Sequence, residues 1–109
     1  MKPICKIDSF GSKFWYLNGK LHREDGPAYE GSLGTKEWWA NDKLHRVDGP
    51  AAEWSNGTKK WFINGELHRE DGPAIEYATG YKEWHYQDNR IDCKDNQEFL
   101  KIIKLMAFL

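Results

Sequence analysis

The chain reads as a mainly β protein: a single-layer antiparallel meander of stacked β-hairpins, followed by a C-terminal capping α-helix. Three observations predict this. The block Asn18-Gly-Lys-Leu-His-Arg-Glu-Asp-Gly-Pro-Ala28 returns almost letter for letter at Asn41–Ala51 and at Asn64–Ala74, so that His22, His45 and His68 stand 23 residues apart. A fixed period of this size marks an array of one small supersecondary unit rather than a globule around one closed core. Between the blocks lie short stretches rich in Trp, Tyr, Phe, Thr and Ile, bounded by turn dipeptides, which is strand composition. After Asp95 the apolar spacing changes from strand-like to helical.

Aligned on the period, the residues fall into columns. Gly11, Gly34, Gly57 and Gly80 form one, Lys13, Lys36, Lys59 and Lys82 another, and Trp15, Trp38, Trp61 and Trp84 a third. An aromatic column (Tyr16, Trp39, Phe62, His85) and an apolar-leaning one (Leu17, Ala40, Ile63, Tyr86) follow. Asn18-Gly19 and Asn64-Gly65 suit a type I′ hairpin turn, which needs positive φ at both central residues. Asn41-Asp42 tolerates the same region. A second turn falls at Leu33-Gly34, Asn56-Gly57 and Thr79-Gly80. Asp-Gly-Pro interrupts the second strand, because proline cannot donate to a ladder. The units lie near 11–33, 34–56 and 57–79, with a partial fourth over 80–94 that loses the pattern after Asp88, and residues 1–94 form the array. In the remainder, 95–109, Asp95 and Glu98 have capping-box spacing, and Phe99, Ile102, Ile103 and Met106 define an apolar stripe. A helix over 96–109 is expected, closing the open end of the sheet.

With 16 Lys+Arg against 17 Asp+Glu, the charge balance argues against a dedicated nucleic-acid binder. Six Trp supply large buried area per residue, which suits a thin repeat core. Cys5 and Cys93 lie near opposite ends of the array, too far apart to pair, so two free thiols in a reducing compartment are expected. No segment approaches a membrane span, and the opening residues hold no apolar run of signal-peptide length. The expected location is cytoplasmic, the host-cell cytoplasm if the protein is viral.

Over residues 11–92, the Asn-Gly-Lys-Leu-His-Arg pattern with its preceding Trp15-Tyr16 pair resembles MORN-type repeats. It is most similar to the variant MORN repeats found among antitoxin-like bacterial proteins and small proteins of tailed phages and large DNA viruses. The family pattern places Gly after the His, whereas Arg23, Arg46 and Arg69 stand here. The resemblance implies an elongated hairpin stack used for contacts with other molecules, and brings no catalytic residues.

The triplicated His-Arg-x-Asp set invites a chemical reading, but repeat geometry resists it. Equivalent histidines two strands apart are separated by roughly 10 Å, whereas zinc ligands lie about 2 Å from the metal. Active sites are also singular, and a set present in every unit is architecture. No catalytic residue, metal or cofactor is therefore expected. Asp25, Asp48 and Asp71 should accept turn N–H groups. Arg23, Arg46 and Arg69 should fork to them or to Glu30, Glu53 and Glu76. His22, His45 and His68 should pack their rings on the Trp15, Trp38 and Trp61 column, which Trp84 continues.

Candidate partner-binding residues are instead those that break or flank the repeat: Trp39, Trp54, Tyr29, Tyr77, Phe108 and Leu109. Exposed aromatics among polar neighbours are typical interface anchors. The expected function is a non-enzymatic protein–protein interaction module, in its sharper form an inhibitor or counter-defence protein that blocks a host protein. The alternative is a ligand or nucleic-acid binder using the Lys and Trp columns, which share a strand face. A homodimer through an open sheet edge or the C-terminal helix is a further partner class.

Overall fold

A computed structural model of the chain describes residues 2–108. The strands are β1 (Ile4–Ile7), β2 (Lys13–Leu17), β3 (Lys20–Leu21), β4 (Tyr29–Glu30), β5 (Lys36–Glu37), β6 (Trp39–Ala40) and β7 (Lys43–Leu44). They continue as β8 (Ala52–Glu53), β9 (Lys59–Lys60), β10 (Phe62–Ile63), β11 (Glu66–Leu67), β12 (Ile75–Glu76), β13 (Lys82–Tyr86) and β14 (Asn89–Ile91), before helix α1 (Asn96–Met106). One long sheet runs in the order β1-β2-β4-β5-β8-β9-β12-β13-β14, with β3 on β2; β6-β7 and β10-β11 are separate two-stranded hairpins. Every pairing between consecutive strands of this path is antiparallel. The molecule is a mainly β meander, 46 × 31 × 17 Å, as its repeat predicts.

Two turn types build each unit. At Asn18-Gly19, Asn41-Asp42 and Asn64-Gly65 both central residues have φ between 49° and 82°, the I′ conformation expected from their residue types. A fourth such turn, at Gln87-Asp88 (φ 47° and 69°), joins β13 to β14 where the sequence pattern is lost. It persists because it docks on the preceding unit. The Asp88 N–H donates to the Leu67 carbonyl at 2.8 Å, and Asp88 Oδ1 accepts the Leu67 N–H at 3.1 Å. Asp42 holds Leu21 in the same two-way manner, at 3.0 and 2.7 Å.

The second turn ends on Gly11, Gly34, Gly57 or Gly80, with φ of 87° to 104°, the left-handed position of a glycine bulge. Beside it runs a column not singled out in the sequence: Ser12, Thr35 and Thr58. Their hydroxyls accept the N–H groups of Ser32, Ser55 and Ala78 at 3.0 to 3.2 Å, fastening each unit to the next.

The core is thin. Ala28, Ala51 and Ala74 are fully buried, and their carbonyls accept the N–H groups of Trp15, Trp38 and Trp61. Across the long sheet the register sets Lys13 against Glu30, Glu30 against Lys36, and so on through Glu53, Lys59, Glu76 and Lys82, so opposite charges alternate strand by strand.

At the C-terminal end, Asp95 is the N-cap of α1, its Oδ1 accepting the Glu98 N–H at 2.9 Å. Phe99 and Ile103 are buried against the chain's own body. The helix ends at Met106 rather than running to 109. Phe108 N–H instead closes a short turn onto the Leu105 carbonyl, and with its ring exposed nothing packs there to extend the helix. No helix among the described residues is long and apolar enough to cross a membrane.

Candidate groove face built by the repeated loops

Each His-Arg-x-Asp-Gly-Pro loop folds around a stacked arginine. The guanidinium carbons of Arg23, Arg46 and Arg69 lie 3.9, 3.8 and 3.9 Å from the ring centres of Trp15, Trp38 and Trp61. This is cation–π distance. Nε donates to Asp25, Asp48 or Asp71 at 3.0, 3.1 and 2.8 Å. Nη1 donates to the proline carbonyl of the same loop and reaches Glu30, Glu53 or Glu76 at 3.2, 3.9 and 2.9 Å. The loop glycine lies against the guanidinium: a Cβ on Gly26, Gly49 or Gly72 would come within 3.1, 3.0 or 2.8 Å of the arginine Cζ. Glycine is favoured here by close approach, most of all at Gly72, and not by a positive φ.

Two sequence expectations are corrected by this arrangement. The Asp carboxylates turn chiefly to the arginine Nε, with Asp71 also taking its own N–H, because a charge-assisted bond to a preorganised guanidinium is the stronger partner. The Arg69 bond to Asp71, reinforced by the arginine's charge and only partly opposed by desolvation, holds the Asp71 carboxyl below its ordinary range. The indoles, in turn, are covered by arginine and not by histidine. His22 does stand opposite Trp15 in the backbone, its N–H donating to the Trp15 carbonyl at 3.0 Å. The ring, however, swings to the next unit.

There, His22, His45 and His68 Nδ1 accept the N–H groups of Asn41, Asn64 and Gln87 at 3.1, 3.0 and 2.9 Å. An accepting Nδ1 leaves the ring proton on Nε2. Each histidine thus fastens its own loop to the following I′ turn. No group of three or more His, Cys, Asp or Glu among the described residues is arranged to hold a metal ion.

Between successive loops lie open grooves. One, of about 590 Å³, is bounded by the loops of Arg23 and Arg46 and floored by Trp38, Trp39 and Ala40. The next, about 690 Å³, lies between the loops of Arg46 and Arg69 over Trp61 and Ile63. A smaller one, about 420 Å³, flanks the first loop beside Lys2 and Pro3. The arginines are largely covered, whereas the Asp25, Asp48 and Asp71 side chains are 85 to 87% exposed, with Glu24 and Glu70 beside them. The rim therefore shows carboxylates and the exposed Val47, over an aromatic floor.

The repeat-breaking residues separate. Trp39 lies in the groove floor, half-buried, its Nε1–H donating to Glu37 at 3.0 Å. Trp54 lines neither inter-loop groove; it stays 38% exposed, with Lys60 Nζ 4.2 Å over its ring. Tyr29 packs on Phe14, with ring centres 4.9 Å apart, and Tyr77 on Tyr81 at 5.7 Å. Phe108 is exposed in the turn after α1. Leu109 lies outside the described residues.

The fourth unit differs most. Asp92 stands where the arginine would, so Trp84 has no guanidinium, and its Nε1–H donates to Asn96 Oδ1 of the helix at 3.4 Å. His85 is buried, its Nε2 donating to Glu83 at 3.1 Å and its Nδ1 left without a hydrogen-bond partner. Glu37-Trp39 and Glu83-His85 are the same device in alternate units, as are Asp42 and Asp88 in the turns. A doubled period was the signal for both. Both cysteines are free, Cys5 exposed and Cys93 half-buried. Burial, with Glu98, Asp92 and Asp95 nearby, pushes the Cys93 thiol up.

No protein-family model, curated protein or solved structure matches the chain.

Proposed function

We propose that the protein is a non-enzymatic interaction module that binds another protein across its groove face. One observation carries this reading: near-identical loops, internally satisfied, stand in a row with aromatic-floored grooves between them and free carboxylate oxygens on the rims. The His, Arg and Asp groups that could act as acid, base or ligand are already engaged in the loop itself, which supports architecture over chemistry. A face of this molecule, 46 × 31 Å, exceeds the roughly 800 Å² per partner of a standard interface. Charge complementarity favours a partner surface that offers cations. The sharper form, in which the partner is an enzyme or defence component held inactive, draws on the likeness to variant MORN repeats.

The rival use of the Lys and Trp columns for bases and phosphates has less support. One face of each of three indoles is occupied by arginine, and each lysine of the column stands across from a glutamate.

The test pairs two arginine substitutions at exposed apolar positions. Val47→Arg places a bulky cation in the grooves, whereas Leu33→Arg alters the distant second turn. The expected result is that a protein captured in equal amount by the natural chain is retained by Leu33→Arg and lost with Val47→Arg. Equal capture by both variants, or no capture by the natural chain, would refute the groove reading.

A further inference from the structure

The two ends of the array are finished differently, and the N-terminal end is left open. Among the described residues β1 has one strand neighbour, β2, and all four of its residues are exposed, Ile4 to 67% and Ile7 to 63%. Native edges are normally blunted by proline, a bulge, an outward charge or a covering element. β1 contains no proline, and the ammonium of Lys6, its only charge, sits over the Tyr16 ring of its own sheet at 5.4 Å.

The backbone of β1 is directed outward at defined positions. Cys5 is opposite Trp15, and Trp15 spends both its backbone groups on its other side: its N–H donates to Ala28 and its carbonyl accepts from His22. Antiparallel partners that exchange no bonds with each other turn their N–H and C=O the other way. Cys5, and by alternation Ile7 and the carbonyl of Pro3, therefore face the open edge.

We infer that a second copy of this chain pairs with β1 antiparallel, about a two-fold axis at Cys5. Charge selects that centre. A centre at Lys6 would oppose the two Lys6 ammonium groups, and a centre at Ile4 would set Lys2 against Lys6. A centre at Ile7 would slide the overlap off the strand onto the turn. With the axis at Cys5, Ile4 lies across from Lys6 of the second copy, and Lys2 lies across from its Asp8. The Asp8 carboxylate is already fixed by the Phe10 and Ser12 N–H groups, which leaves one oxygen for the ammonium. The two Cys5 residues exchange N–H···O bonds, and each Ile7 N–H reaches the Pro3 carbonyl opposite, four hydrogen bonds by symmetry. The long sheet thereby continues through the axis, and this pairing stands or falls independently of the groove face.

The test is sedimentation equilibrium of the reduced chain carrying Cys93→Ser, followed by oxidation with copper–phenanthroline. Two Cys5 thiols would give up their hydrogens to the oxidant and form one S–S bond, since hydrogen-bonded partners have Cα atoms about 5.5 Å apart. A concentration-dependent dimer that oxidation locks through Cys5 is expected. Ile7→Pro removes only an outward N–H and should weaken association about ten- to a hundredfold, two hydrogen bonds being lost by symmetry. Lys2→Glu faces Asp8 with a like charge and should weaken it about tenfold without touching the hairpin. A monomer up to about 1 mM, the weak end of specific association, would overturn the inference. So would a dimer unaffected by Lys2→Glu and not locked by oxidation.

Discussion

The first three units and the fourth solve one problem in two ways. In the first three, an exposed tryptophan must be covered in a layer too thin for large aliphatic side chains, and an arginine from the same unit's loop covers it. In the fourth the loop is gone, Asp92 occupies the arginine position, and the helix supplies Asn96 to the indole while burying Phe99 and Ile103. The arginine stack is modular and leaves each unit with an open groove. The helix is used once and ends the array. The repeated block is therefore what lets the sheet extend, and the break in the block is what stops it.

That contrast can be broken at several points. The largest effect is expected at the closed end: Phe99→Ala empties a fully buried site and should cost about 3–5 kcal/mol in chemical denaturation. A loss below about 1 kcal/mol would show that the helix is not part of the core. Next comes the stack. Gly72→Ala sets a methyl 2.8 Å from Arg69 Cζ and should cost about 1–3 kcal/mol. Adding Arg69→Ala should recover most of that increment, whereas an additive double variant would mean that glycine and arginine are not in contact. Smaller again is His45→Phe, which keeps a ring but removes the acceptor for the Asn64 N–H, at about 0.5–1.5 kcal/mol. The smallest is acid sensitivity. Because Asp71 is held low in the folded state, its contribution is present above the ordinary carboxylate range and fades as pH falls through and below about 4. Asp71→Asn should flatten that part of a stability–pH curve, and an unchanged curve would remove the Arg69 bond from the account.

Much of this was legible in the sequence, for reasons that particular residues make plain. Asn-Gly dipeptides announce their own φ values, so the I′ turns at 18–19 and 64–65 followed directly. Capping-box spacing located the start of α1 at Asp95. Cross-unit partners were harder to read. The His22 ring could have stacked on the indole opposite or reached the Asn41 N–H, and only the stagger between units decides for the latter. Ser12, Thr35 and Thr58 do not stand out in the sequence, since Tyr81 breaks their column, yet each fastens two units. Gln87-Asp88 does not read as a turn alone, because its conformation is held by Leu67 of the preceding unit. At the candidate site, Trp39 was recognisable as a departure from the repeat, but the grooves themselves are spaces between loops and have no signature in the chain.

The repeated block holds the sheet together, and binding resides in the grooves between its copies. Thermal melting and partner capture, measured side by side for Gly72→Ala and Val47→Arg, separate the two roles, since Gly72 lines neither inter-loop groove. A crossed result is expected: Gly72→Ala melts about 4–8 °C lower per kcal/mol lost and still captures the partner below its transition, whereas Val47→Arg melts like the natural chain and captures none. The reverse pattern, with capture lost in Gly72→Ala at full stability and kept with arginine at position 47, would overturn this division.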